Sequence, residues 1–263
     1  DIVCAKNRLH KVLQVTFPEL ENILSAPTGE QYWNLVMTFP CNSFVLESDD
    51  ATLTAIIRQS TAKRISEKRV TYLVDKLTKL ANQSYCAVKK TSPVIEEVKY
   101  YAGELLRLSE RRQGVLEEMV TLAQPLPEYE ILLSIPGRAE TTATNIIGEL
   151  GDIRRFHSAN QINAFIGIDL RHYESGNFLA KEHITKRGNP YARKILFKCI
   201  HNIASASHTN PCHIADFYEK RKRQSQVTST KPHTIASIHR LIRTMYYLIT
   251  HNKLYDYTST QNR

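Results

Sequence analysis

The residues able to do chemistry gather in the second half of this 263-residue chain. Leu132-Leu133-Ser134-Ile135-Pro136-Gly137-Arg138-Ala139 is an apolar segment that runs into a Pro-Gly break. A second apolar segment follows at helical spacing, with Ala143, Ile146, Ile147 and Leu150 on one face. The pattern predicts two short helices joined by a tight hairpin. The second helix would start beside Arg138, Thr141 and Thr142, with open backbone N–H groups. Donors and positive charge at a helix N-terminus suit a phosphate. Contacts of that kind hold a nucleic-acid backbone without reading its sequence.

A second cluster is Thr185-Lys186-Arg187-Gly188-Asn189-Pro190-Tyr191-Ala192-Arg193-Lys194. Lys186, Arg187, Asn189 and Arg193 surround a predicted helix start, and cations there oppose the helix dipole. A bound phosphate would remove that conflict and make the segment a second backbone clamp; the plainer reading is a solvated basic turn. Between the clusters, Ser175-Gly176 reads on pattern alone as an ordinary turn. Cys199, His201, His208, Cys212 and His213 invite a zinc reading, but their spacing fits no common structural zinc pattern. Tyr218-Glu219-Lys220-Arg221-Lys222-Arg223 reads as a basic helix end, solvated or touching phosphate, and Tyr246, Tyr247 and Tyr255 read as core residues. The chain shows no phosphate-binding P-loop, dinucleotide fingerprint or metal-binding carboxylate pair.

The elements that must position these residues are mostly helices. Prolines and capping residues punctuate the first half. A helix from residue 2 should end near Pro18, another runs over 31–39, and Ser48-Asp49-Asp50 should cap one over 51–60. Ser66 should cap the next, to about Ala81. Ser92 and Pro93 should open a long helix that meets no further proline until Pro125. Along it Val94, Val98, Tyr101, Leu105, Leu108, Val115, Met119 and Leu122 recur at alternating spacings of 4 and 3, with Arg112 the one polar interruption. That is a coiled-coil seam about 40 Å long. It would pack on its own domain, form an antiparallel hairpin with the 66–81 helix, or join two copies of the chain.

Pro125 and Pro127 suggest a hinge, which gives an assembly region over 1–125 and a second domain over 126–263. Short helices are expected over 159–165, 191–205, 215–221 and 234–251, with loops and a small β-hairpin between 166 and about 185. The expected fold class is therefore mainly α: a helical coiled-coil region, then a helical domain with a helix-hairpin-helix-like element and a small irregular insertion.

Charge divides in the same place. Residues 1–125 hold 16 Lys and Arg against 15 Asp and Glu, while residues 126–263 hold 19 against 11 and nine of the ten histidines. A basic domain beside a neutral one points to a polyanion partner, most often nucleic acid. Five scattered cysteines suit a reducing cytosol better than a disulfide framework. No apolar run reaches the roughly 18 residues of a membrane helix, and no signal peptide is visible. The chain opens at Asp1 in what reads as mid-helix, as a piece of a longer protein would.

One order of motifs adds to this reading. Ser134-Ile135-Pro136-Gly137, Gly148-Glu149-Leu150-Gly151-Asp152, Arg155-Phe156, Asn163-Ala164-Phe165-Ile166-Gly167-Ile168-Asp169, Tyr173-Glu174-Ser175-Gly176, Thr185-Lys186-Arg187-Gly188-Asn189, Arg193-Lys194-Ile195-Leu196 and Phe217-Tyr218 follow one another. The series resembles the C-terminal domain of the DEDD-type insertion-sequence transposases. These are the Piv-like recombinases, some of which choose their DNA with a bridge RNA. Lys6-Asn7-Arg8-Leu9-His10 and Phe17-Pro18-Glu19-Leu20 resemble the segment after that family's N-terminal catalytic domain. The resemblance covers essentially the whole chain and is most specific over 131–198.

It implies DNA transposition, a coiled coil that makes a homo-oligomer, DNA and in some members a structured guide RNA as partners, and a bacterial or archaeal cytoplasm. It also implies that Ser175 is a nucleophile toward a DNA phosphate, and the two clamp readings above would place Gly137, Arg138, Thr141, Lys186, Arg187, Asn189 and Arg193 on the DNA. A RuvC-like domain would carry Asp-Glu-Asp-Asp ligands for Mg²⁺ upstream of Asp1, so this chain would hold no metal and would not cut DNA by itself. The family's hairpin usually reads Pro-Gly-Ile-Gly, and Arg138-Ala139 stands here in place of its Ile-Gly. The alternative is a non-catalytic DNA-binding or regulatory piece of a transposase. A structure-specific repair protein built on the hairpin would leave the Ser-Gly and Lys-Arg-Gly-Asn segments unexplained.

Overall fold

The computed structural model describes residues 1–171, 174, 175, 178, 179, 183–226 and 228–261, with the side chains of 171, 174, 175, 178, 179, 260 and 261 outside that description. The chain is mainly α-helical and divides into two compact units, Asp1–Val115 and Leu116–Arg263.

The first unit contains α1 (Ile2–Thr16), a 3₁₀ turn at Pro18–Asn22, α2 (Glu30–Thr38), α3 (Asn42–Leu46), α4 (Asp50–Gln59), α5 (Glu67–Gln83) and the start of α6 (Pro93–Ala123). Its caps are those expected from the sequence. The Asp49 carboxylate accepts from the Thr52 N–H, Ser66 Oγ from the Arg69 N–H, and Ser92 Oγ from the Val94 N–H. The Thr52 hydrogen bonds hold the Asp49 carboxyl below its usual pKa. Helix α5 buries Val70, Leu73, Val74, Leu77 and Ala81, one face of a 3.6-residue period.

On α6 the 4,3 stripe is used unevenly. Val98 and Leu105 are buried in the core of the first unit, whereas Val115 and Leu122 are 48% and 67% exposed. The division between the units falls within this helix.

The second unit contains α7 (Pro127–Leu133), α8 (Glu140–Leu150), a 3₁₀ turn at Ile153–Arg155, α9 (Ala159–Ile166), four two-residue strands, α10 (Pro190–Ala206), α11 (His213–Gln224), α12 (Lys231–Thr250) and α13 (Thr258–Gln261). Its core draws on Leu132, Ile135, Ile146, Ile162, Ile166, Leu196, Ile200, Leu241, Ile242 and Ile249, all 3% exposed or less. Helix α12 packs on α7, α9, α10 and α11 and is the central strut of this unit.

Two antiparallel strand pairs, one nested within the other in sequence, are described in the irregular segment. Strand β1 (Leu170–Arg171) pairs antiparallel with β4 (His183–Ile184), and β2 (Glu174–Ser175) with β3 (Phe178–Leu179). Ser175 is registered opposite Phe178 and Glu174 opposite Leu179.

Candidate nucleic-acid interface

The expected hairpin is α7, a turn over 134–139, and α8. Gly137 has φ +77°, and a Cβ there would lie 2.6 Å from the Asn202 carbonyl oxygen. This glycine therefore lets the turn press onto the backbone of α10. No side chain caps α8, and Thr141 in its first turn is exposed.

Arg138 points elsewhere than the sequence suggests. Its guanidinium turns inward, where Nη2 donates to Met245 Sδ at 3.1 Å. Nε and Nη1 are buried without a hydrogen-bond partner. Burial pushes its pKa down, opposed by the nearby thiols of Cys199 and Cys212. Close seating of the turn at Gly137 carries the next residue into the interior.

Three links bring the second cluster together. The Asn189 side chain accepts from the Tyr191 and Ala192 N–H groups at 2.9 and 3.1 Å, capping α10. Its Nδ2 donates to Glu149 Oε2 at 2.7 Å, which ties the end of α8 to the start of α10. Arg193 Nη1 donates to the Ile166 carbonyl at 2.6 Å. The guanidinium thus faces the C-terminus of α9, where a cation is favoured. Two of the open amides of α10 are satisfied by Asn189, so the start of this helix is closed by the chain itself.

The roots of the β-hairpin are clamped between these links. Gly167 closes α9 in the left-handed conformation, with its N–H on the Ala164 carbonyl. A Cβ on Gly167 would stand 2.0 Å from the Arg187 carbonyl oxygen, and one on Gly188 2.2 Å from that of Phe165. The Thr185 N–H donates to the Asp169 carbonyl at 2.9 Å, and Thr185 Oγ1 to Asp169 Oδ1 at 2.7 Å. Lys186, at φ 55°, donates its N–H to the Gly167 carbonyl. The side chains of Lys186 and Arg187 are exposed at this root.

Of the expected site residues, Lys186, Arg187, Asn189 and Arg193 are therefore adjacent to the hairpin that carries Ser175. Ser175 is placed by its backbone in β2, and its hydroxyl lies outside the described residues, as do Tyr173 and Gly176. Gly137 and Thr141 belong to the separate turn between α7 and α8.

Pattern reading gave Glu149 and Asp169 no role, because their partners Asn189 and Thr185 lie 40 and 16 residues away. It also passed over His239 on α12. Burial lowers the pKa of that ring, as does Arg243, while the Ile168 backbone and Asp169 oppose the shift. Arg155 lies over the rings of Phe156 and Phe165, at 4.7 and 5.1 Å.

Among the described residues no three His, Cys, Asp or Glu side chains converge to hold a metal ion. Cys199 and Cys212 are buried free thiols, and His213 is engaged by Tyr255 and Thr244. No described helix is long and apolar enough to cross a membrane.

Residues 129–219 match the family model described as "Transposase IS116/IS110/IS902 family". The chain is 37% identical over 93 residues to the transposase for insertion sequence element IS1111A of Coxiella burnetii, covering 35% of this chain and 26% of that protein. It is 22% identical over 193 residues to the insertion element IS110 uncharacterized 43.6 kDa protein of Streptomyces coelicolor, covering 73% and 46%. With the transposase for insertion sequence element IS1328 of Yersinia enterocolitica it shares 27% identity over 122 residues, covering 43% and 36%. The chain thus spans between about a quarter and a half of the length of these relatives.

Proposed function

We propose, from the membership of residues 129–219 in the IS116/IS110/IS902 transposase family, that this chain is the C-terminal portion of an insertion-sequence transposase. In this reading it acts in the transposition of an insertion element. Its second unit grips a DNA backbone at the hairpin root and presents the Ser175 hydroxyl to a phosphorus atom. The hydroxyl oxygen forms a bond to phosphorus, and the bond from phosphorus to a DNA oxygen breaks.

One observation carries the reading. Exposed Lys186 and Arg187 stand in the loop between β4 and α10, held there by Asp169, Gly167 and Phe165. Two cations at the fixed root of the β segment can hold phosphates beside it. Thr141 at the open start of α8 supplies a further backbone contact.

A serine hydroxyl is a weak nucleophile without a base or a metal ion beside it. The described residues of this chain do not form a Mg²⁺ site. We assign the activation of Ser175 to a RuvC-like domain of the complete transposase, and the chain by itself should not cut DNA. The exposed Val115 and Leu122 on the 4,3 stripe support a helix-to-helix contact between copies, with Arg112 exposed on the same stripe. DNA is the expected partner, with a structured guide RNA in a bridge-RNA system.

The deciding experiment replaces Ser175 with Ala in the complete transposase. Recombination should be abolished while binding to element ends stays close to that of the parent. Undiminished recombination would leave only the non-catalytic DNA-binding reading.

A further inference from the structure

A second basic surface lies on the second unit, where α11, α12 and the segment after α12 meet. One cleft, of about 500 Å³, is lined by Phe217, Lys220, Arg221 and Arg240. A neighbouring cleft of about 830 Å³ shares Arg240 and adds Arg243, Tyr247 and Lys253. None of these five cations is ion-paired among the described residues, and the ion pair on α11 joins Lys222 to Glu219 at 3.9 Å.

Two acids also line these clefts, Asp216 in the first and Asp256 in the second. Asp216 accepts from the Tyr257 hydroxyl at 3.0 Å, and Asp256 from the Thr258 N–H and hydroxyl at 2.9 and 2.8 Å. The aromatic groups are set among the cations. Arg240 lies 4.5 Å and Arg221 5.7 Å from the centre of the Phe217 ring. Tyr247 stacks on His251 at 4.2 Å, lies within 6.0 Å of Lys253 Nζ and is 41% exposed.

We propose that this groove holds an unpaired stretch of DNA, with phosphates on Arg240, Arg243 and Lys253 and a base stacked on Tyr247. The inference deepens the proposed function, on which its choice of DNA rests. Cations alone would suit a duplex as well. A tyrosine ring that is 41% exposed within the row of cations suits a base free of its partner. Helix α12, which carries Arg240, Arg243 and Tyr247, also carries His239, beside Ile168 and Asp169.

The test measures binding of the 263-residue chain to labelled oligothymidylate, oligouridylate and a blunt DNA duplex over a range of salt. The variants are Arg243→Glu/Lys253→Glu and Tyr247→Leu, all at exposed positions, with Arg187→Ala alongside. The charge reversal should weaken oligothymidylate binding about tenfold or more and flatten its salt dependence by about 0.7 per lost phosphate contact. Tyr247→Leu should weaken oligothymidylate about fivefold or more and leave the duplex unchanged. Oligothymidylate affinity within about twofold of the parent in both variants overturns the proposal, as does a loss confined to duplex or to oligouridylate. If only Arg187→Ala loses binding, the groove is refuted and the hairpin-root clamp stands. If only the groove variants lose it, the groove stands and that clamp falls.

Discussion

Asp169 and Thr185 are joined twice, backbone to backbone at 2.9 Å and side chain to side chain at 2.7 Å, across the root of the hairpin that carries Ser175. The pair fixes the point at which the two strands leave the helical body. Such a joint constrains the hairpin where leverage on its tip is greatest.

Thr185→Val removes the side-chain bond and keeps the shape. It should loosen the root by about 1 kcal/mol, or about fivefold faster exchange of the Thr185 amide hydrogen. Unchanged protection of that amide would mean the side-chain bond contributes nothing to the joint. In the complete transposase the same variant should lower recombination more than DNA binding.

Gly188→Ala and Gly167→Ala each drive a Cβ into a backbone carbonyl at a positive φ. Each should lower the melting temperature of the second unit by about 5–10 °C, since the α9 end and the loop before α10 are pressed together there. Calorimetry decides the matter, and a parental melting temperature would show that the loop relaxes freely.

The three arginines of the expected interface should behave differently. Arg187→Ala should weaken DNA binding similarly across unrelated sequences, flatten the salt dependence by about 0.9, and leave the melting temperature unchanged. Arg193→Ala should also cost about 1–3 kcal/mol of stability, because it deletes the bond to the Ile166 carbonyl. Arg138→Met should leave DNA affinity within about twofold of the parent and hold or raise the melting temperature, since it removes a buried cation with two orphaned nitrogens. A flatter salt dependence in Arg138→Met would instead place that guanidinium on a phosphate.

Stability should depend on His213 and His239 near neutrality. Burial is the main cause that lowers both pKa values; Arg240 adds to it at His213 and Arg243 at His239, while Asp216 and Asp169 oppose. Tyr255 and Thr244 also face the His213 ring. As pH falls below about 6.5 the unfolded chain takes up protons before the folded one, so stability is full above that value and declines beneath it. Thermal melts from about pH 7.5 to about pH 5.5 should show the decline, and His213→Gln/His239→Gln should reduce it. An equal slope in the double variant would assign the effect to other groups.

Much of this architecture is legible in the residues because its signals are local. Ser66, Asp49 and the Ser92-Pro93 step announce their helices within one turn, and Pro136-Gly137 marks the hairpin. Helix α3 is only five residues long, too short to show a period. The stripe on α6 has the same spacing whether it packs on its own unit, as Val98 and Leu105 do, or waits for another helix, as Val115 and Leu122 could. The site was less legible. A cation beside a turn reads as a surface group, and only the contact of Gly137 with α10 shows that Arg138 must turn inward. The links from Asn189 to Glu149 and from Arg193 to Ile166 span 40 and 27 residues, beyond the reach of any local pattern.

The left-handed backbone at position 186 carries a long cationic side chain in a conformation that glycine would adopt at about 1 kcal/mol less. Charge and chain path are therefore in opposition at that residue. Lys186→Gly is the exchange in this loop for which weaker hold on a polyanion and a sturdier fold should arrive together.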